Sequence, residues 1–315
     1  MSMTKSQTIA LFGASGFIGR YIVQQLAGQG HTLRVAARRP KEAIHLKTAG
    51  DVGQIALMPY RGLQSVEEIM AGADAAVSLA GILYESRADD FDRVHHQLPA
   101  RIAELAAHMD MSALVHISAI GADPAAKSVY AQSKGHGEAA VTGNFPSATI
   151  LRPSIVFGPE DNFFNQFANM ARFAPFLPLI GGGKTKFQPV YVNDVARAAV
   201  EALTNTAHQG KVFELGGPDV MSFEECLRFI LTHTGRRKPL ITIPLGIARL
   251  KAMVLEKLPQ PPLTRDQLIL LESDNVVSDG ALTLADLGIE AASVEAIVPH
   301  YLQALSIGQP MAEAS

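Results

Sequence analysis

The chain contains one cysteine in 315 residues, Cys226. That excludes an internal disulfide and any cysteine-clustered metal site, so no metal centre is expected, and it suits a reducing compartment. Excess charge is also small. The 27 Lys and Arg nearly balance 30 Asp and Glu, for a net charge of −3, which argues against nucleic acid as an electrostatic partner. No apolar run approaches the roughly 18 residues that a membrane-spanning helix needs. The first apolar stretch, "TIALFG", starts at residue 8 and leaves no room for a signal-peptide core or a long transit peptide. Internal repeats and low-complexity segments are missing too. These absences predict a soluble, cytoplasmic protein.

What is present points to a globular α/β chain, with 48% hydrophobic and 18% charged residues. Short runs rich in Val, Ile, Leu and Ala predict strands at 8–13, 31–38, 53–58, 74–81, 112–118 and 147–153. Amphipathic stretches predict helices near 18–28, 40–49, 65–71, 90–110 and 130–142. This alternation implies βαβ units and a Rossmann-type, doubly wound parallel sheet. Past residue 155 the pattern loosens into Pro- and Gly-marked pieces. The expected organisation is a dinucleotide-binding domain over 1–155, with 188–212 returning to it. A smaller, mostly helical C-terminal lobe would combine 156–187 and 213–315.

"GASGFIG", Gly13 to Gly19, follows the first strand and opens a helix. Gly13 permits a tight turn, Gly16 lets backbone approach a pyrophosphate, and Gly19 lets helix pack on strand. With Ser15, Phe17 and Ile18 they would cradle phosphates at a helix N-terminus, where N–H groups lack partners. After the second strand stand Arg38 and Arg39, where an NAD site would carry a carboxylate. Guanidinium groups there suit a 2′-phosphate, so NADP(H) is the preferred cofactor, with NAD(H) as the alternative. "YAQSK" puts Tyr130 and Lys134 one helical turn apart, downstream of a strand that ends in Ser118.

The GxxGxxG spacing with Ser118, Tyr130 and Lys134 resembles the short-chain dehydrogenase/reductases, residue by residue. The resemblance implies Ser118 holding a carbonyl, Tyr130 exchanging a proton, and Lys134 depressing the Tyr130 pKa while contacting the nicotinamide ribose. It also implies Leu79, Ala80 and Gly81 after the fourth strand, and Pro153 and Ile155 after the sixth, against the dinucleotide. "GDVGQ", "GPEDNFFNQFA", "KFQPVYVNDV" and "PPLTRDQLILLESDNVV" together resemble, more narrowly, the nucleotide-binding accessory subunits of respiratory complex I and their bacterial relatives. Those proteins are atypical or extended members that hold NADPH, and the resemblance implies a respiratory-complex partner through which a cytoplasmic chain would sit peripherally at the inner membrane.

Three places depart from the pattern. The Ser118-to-Tyr130 loop is short, Pro59 stands where an adenine-contacting Asp is common, and His95 stands near the expected Asn of the site helix. Paired histidines on a long helix read as a packed or solvated face, so His95 and His96 receive no catalytic role. Residues 236–258 are basic and amphipathic, suited to a membrane surface or a partner, and are expected to be a lobe helix whose apolar side covers the core. Two functions follow. One is an NAD(P)H-dependent oxidoreductase acting on a small carbonyl, quinone-like or nucleotide-sugar substrate, with an epimerase/dehydratase as a variant. The other is a non-catalytic NADPH-holding accessory or assembly factor of a respiratory complex.

Overall fold

The computed structural model describes residues 6–256, 258 and 261–306. The outer limits of the expected domains, 1–5 and 307–315, lie outside these residues, as do 257, 259 and 260 of the basic segment and its flank.

In the first half, β1 (Thr8–Phe12), β2 (Thr32–Ala37), β3 (Ile55–Pro59), β4 (Ala75–Ser78), β5 (Ala113–Ile117) and β6 (Thr149–Pro153) alternate with helices. These are α1 (Phe17–Gly28), α2 (Val66–Met70), α3 (Leu98–His108) and α4 (Val129–Asn144). The second half holds β7 (Val156–Phe157), α5 (Phe164–Phe173), β8 (Leu177–Ile180), β9 (Lys186–Phe187), β10 (Val190–Tyr191) and α6 (Val192–Thr204). After these come β11 (Val212–Leu215), β12 (Met221–Ser222), α7 (Phe223–His233), β13 (Leu240–Ile243), α8 (Leu245–Leu255), α9 (Arg265–Leu270) and α10 (Val294–Ser306).

Seven parallel strands form one sheet in the order β11-β6-β5-β4-β1-β2-β3. Every residue of β4 and β5 is buried, as a sheet covered on both faces requires. One face packs α1 and α6 through Ile22, Leu26, Val195 and Ala199, and the other packs α2, α3 and α4 through Ile69, Ile102 and Val141. Strand order reverses between β4 and β1, and at that switch point the carboxyl ends of the strands open a crevice. The smaller lobe has its own aromatic core, with Phe157, Phe164, Phe187 and Phe223 meeting mainly edge to face.

Four local readings change. Residues 40–49 form turns and a 3₁₀ segment, Ile44–Ala49, because only Ala43 and Leu46 turn inward. The helix expected over 90–110 opens as a wide π-type turn, Asp92–Gln97, before α3. Pro99 has no N–H to offer the His95 carbonyl one turn back, and the ladder widens there. That carbonyl faces Gly137 of α4 so closely that a Cβ on Gly137 would sit 1.9 Å from it. Strand β11 pairs with β6, so Phe213–Leu215 are sheet, beyond the expected edge at 212. Helix α8 covers the core with only Ala248 and Ala252, while its larger apolar side chains face outward. No helix among the described residues is long and apolar enough to cross a membrane.

Candidate functional site

The crevice collects residues that lie far apart in sequence. Gly13 to Gly19 follow β1, Arg38 and Arg39 follow β2, and Leu79 to Gly81 follow β4. Ser118 follows β5, while Pro153 ends β6 just before Ile155. Parallel strands bring all these carboxyl ends to one edge of the sheet.

The glycine turn fits a dinucleotide. Gly13 has φ +95°, and a Cβ there would lie 2.6 Å from the Ala80 nitrogen, so only glycine lets β1 turn against the strand-four loop. A Cβ on Gly19 would meet the Ala14 Cα at 2.3 Å, which accounts for its place at the helix–strand contact. Gly16 differs. Its φ is −81°, an added Cβ would meet only the Gly13 carbonyl at 3.3 Å, and the residue is exposed. Its lack of a side chain is a property of the outer surface, where a phosphate would sit, and no side chain caps α1. Arg39 donates to Glu42 at 3.2 Å, whereas no carboxylate among the described residues pairs with Arg38, which lies beside Tyr60.

Ser118 follows β5, and Tyr130 and Lys134 lie on the first turns of α4, with Lys134 bonded to the carbonyl of Ile117 next to Ser118. Ser118 Oγ is buried and has no hydrogen-bond partner, an orphaned group of the kind that a bound oxygen satisfies. Lys134 is buried and its Nζ donates to the Ile117 carbonyl at 2.8 Å. Burial pushes this ammonium down to about 8, although Glu138 one turn on opposes the shift. Burial pushes the Tyr130 phenol up to about 12. The expected depression of Tyr130 by Lys134 is therefore corrected. The ammonium faces a backbone carbonyl and is itself drawn toward neutrality, so desolvation prevails at the phenol.

His95 lies beside Tyr130, near the position that the sequence assigned to it, as a packed side chain whose hydrogen bonds the sequence did not foretell. Its Nε2 accepts from the Ile82 N–H at 3.0 Å, which leaves the proton on Nδ1 to donate to Ser133 Oγ at 2.8 Å. Ser133 Oγ in turn donates to the Tyr130 carbonyl at 2.7 Å. The ring stacks on Phe91 and meets Tyr130 edge to face at 5.4 Å. Burial and then Lys134 push His95 down to about 3, so it stays neutral. His96 points outward to Asp92. The sequence signal for this arrangement was Pro99, whose missing N–H shapes the turn that aims His95 inward.

Asp266 and Asn275 were also missed. Asp266 of α9 accepts from Ser128 Oγ at 2.8 Å, Val129 N–H at 2.7 Å and Tyr130 N–H at 3.1 Å, capping α4 from the smaller lobe. Asn275 accepts from Ser154 Oγ at 2.7 Å and donates to the Ile120 carbonyl at 3.4 Å, joining the lobe to the loops after β5 and β6. No sequence spacing announces either contact, because each spans more than 100 residues. A separate hollow of about 500 Å³, lined by Arg228, Leu231, Thr232, Gly235, Arg236 and Arg237, contains none of these groups.

Together, the switch-point crevice, the glycine turn and the Tyr130–Lys134 helix define an extended short-chain dehydrogenase/reductase architecture. The chain belongs to the NAD dependent epimerase/dehydratase family, which it matches over residues 9–216. It is 36% identical over 307 residues, 93% of this chain and 74% of the relative, to NADH dehydrogenase [ubiquinone] 1 alpha subcomplex subunit 9, mitochondrial, of Arabidopsis thaliana. The Mus musculus protein of the same name is 31% identical over 90% of this chain and 77% of its own length. A ceramide reductase of Caulobacter vibrioides is 29% identical over 75% of this chain and 73% of its own length. Among solved structures, UDP-glucose 4-epimerase from Thermotoga maritima superposes with a TM-score of 0.69 at 18% identity, covering 95% of this chain and 99% of that one. UDP-glucuronic acid 4-epimerase from Bacillus cereus, solved with UDP-glucuronic acid and NAD, gives 0.65 at 19% identity over 95% and 99%. At such identity these two establish the shared fold.

The similar complex I subunits are mitochondrial proteins, and this overturns the expected cytoplasmic location. A low cysteine count reports redox conditions, and more than one compartment meets them.

Proposed function

We propose that the chain is an NADP(H)-binding oxidoreductase of the short-chain dehydrogenase/reductase type, with Ser118, Tyr130 and Lys134 as its catalytic residues. The observation that carries this reading is the buried Ser118 Oγ with no partner, one residue past the Ile117 carbonyl that Lys134 holds. A bound nicotinamide would supply hydride transfer. Ser118 donates its hydroxyl hydrogen to a substrate carbonyl oxygen, which orients the carbonyl and stabilises developing negative charge. A phenol held up near 12 is protonated at neutral pH, so Tyr130 is a proton donor, which matches carbonyl reduction. Lys134 anchors the floor of the site on the Ile117 carbonyl, and its remaining donors serve the cofactor ribose. Arg38, with Arg39 assisting, pairs with the 2′-phosphate. Residues 156–187 and the chain beyond β11 supply the wall for a small carbonyl, quinone-like or nucleotide-sugar substrate.

A second reading is favoured by the extent of the similarity to complex I subunits, which covers nine-tenths of this chain. In it the same site holds NADPH as a structural ligand within a respiratory assembly. Steady-state NADPH fluorescence with a panel of carbonyls, quinones and nucleotide sugars separates the two. Turnover that Tyr130→Phe lowers by about 10²–10⁴-fold, with cofactor affinity kept, supports the enzyme. Tight NADPH binding without consumption on any substrate refutes it in favour of the accessory role.

A further inference from the structure

We propose that helix α8 is an interfacial element that docks the protein on an anionic lipid surface. The helix inverts the usual arrangement. Ala248 and Ala252, four residues apart, are its inward side, and they pack on Leu268 of α9 and on Ile180 and Ile243 of the paired strands β8 and β13. Its larger apolar side chains lie on the outer side, with Ile247 50% exposed, Leu250 64%, Met253 47% and Val254 66%. A surface helix normally turns its apolar stripe inward, and contiguous exposed apolar surface marks a contact with protein or membrane.

Shape and charge select the membrane. The apolar side chains form a convex ridge along one helix, and a ridge enters an acyl boundary without the complementary groove that a protein partner would need. Lys251 flanks the ridge on the side away from the Arg249–Glu272 pair, where its long side chain can lay its stem on apolar surface and reach headgroups. No acidic residue occurs between Leu245 and Leu255. The neighbouring carboxylates are already engaged, Glu272 by Arg249 and Glu256 by Arg265. Three further basic residues, Arg236, Arg237 and Lys238, precede β13 on the same lobe. An anionic surface complements this excess of positive charge.

The chain has no tryptophan, so a single introduced indole reports its own surroundings. Full-length protein carrying Leu250→Trp is mixed with vesicles of phosphatidylcholine alone or of equimolar phosphatidylcholine and phosphatidylglycerol. Val52→Trp, at a fully exposed loop position, serves as the control. A blue shift of the Leu250→Trp emission with the anionic vesicles only, absent from Val52→Trp and weakened by salt, is the expected result. In co-sedimentation, Leu250→Ser or Val254→Ser should lower anionic-vesicle affinity about tenfold, and Lys251→Gln about fivefold, with thermal unfolding unchanged. No co-sedimentation of the wild type with either vesicle overturns the proposal. So does equal binding of wild type and both serine variants. A dimer that the serine substitutions dissociate, with no vesicle binding, reassigns the ridge to a second copy of the chain.

Discussion

Asp266 holds the start of the helix that carries Tyr130. One carboxylate oxygen accepts the Val129 N–H at 2.7 Å, and the other accepts the Tyr130 N–H at 3.1 Å and the Ser128 hydroxyl at 2.8 Å. The negative group sits at the positive end of α4, where helix-terminal N–H groups lack partners of their own. Asp266 lies on α9, against which α8 packs. A residue of the smaller lobe thereby sets the position of the proposed proton donor.

Replacing Asp266 with Ala should therefore destabilise the protein by about 1–2 kcal/mol, read by urea denaturation. It should also lower kcat more than it raises the KM for NADPH, because the cofactor turn after β1 is untouched. Unchanged stability and unchanged kcat would remove Asp266 from any positioning role.

The two glycines of the turn should separate folding from binding. Gly13→Ala places a Cβ at positive φ and within 2.6 Å of backbone, so stability should fall by at least about 2 kcal/mol. Gly16→Val meets no such obstacle and should stay within about 1 kcal/mol of wild type while NADPH binding is lost. Circular dichroism melts and NADPH titration check both. A Gly16→Val protein that keeps its NADPH affinity would make the turn purely structural.

Cofactor choice should rest on Arg38 more than on Arg39, since Glu42 already engages Arg39. Arg38→Ala should weaken NADPH binding by about 1.5–3 kcal/mol and leave NADH binding nearly unchanged. Arg39→Ala should have the smaller effect. Equal wild-type affinity for NADPH and NADH in parallel titrations would contradict the preference.

Acid should destabilise the fold through the buried histidines. His95 is held down to about 3 and His116 well below its usual value, both chiefly by burial. Each is neutral in the folded chain and gains a proton more readily in the unfolded one. Their contribution is complete above about pH 6.5 and is lost as pH falls below it, for His95 down to about 3. At pH 5 the loss from His95 alone is about 2 kcal/mol relative to pH 7. Denaturation at the two pH values should show a shallower drop in His95→Gln, and an identical drop in both proteins would mean that His95 protonates freely in the fold.

Local sequence was enough for the strand and helix alternation, for the glycine turn after β1, and for placing Arg38 and Arg39 after β2 and Tyr130 and Lys134 on one helix. Each depends on residues within one turn or one strand, where periodicity and backbone freedom act directly. That the sheet is parallel followed from the same alternation, because a strand–helix–strand unit returns the second strand in the direction of the first. Tertiary structure decided the rest. Ser118 is unpartnered, and His95 bonds to the Ile82 backbone, only once β4, β5 and α4 have packed together. The Tyr130 pKa moved against expectation because desolvation depends on everything that surrounds a group, and spacing reports only its neighbours in the chain. Asp266 reaches α4 across 136 residues, and the larger apolar side chains of α8 face outward because the helix docks on α9 through Ala248 and Ala252. Such contacts are set by how elements dock, which no local pattern encodes.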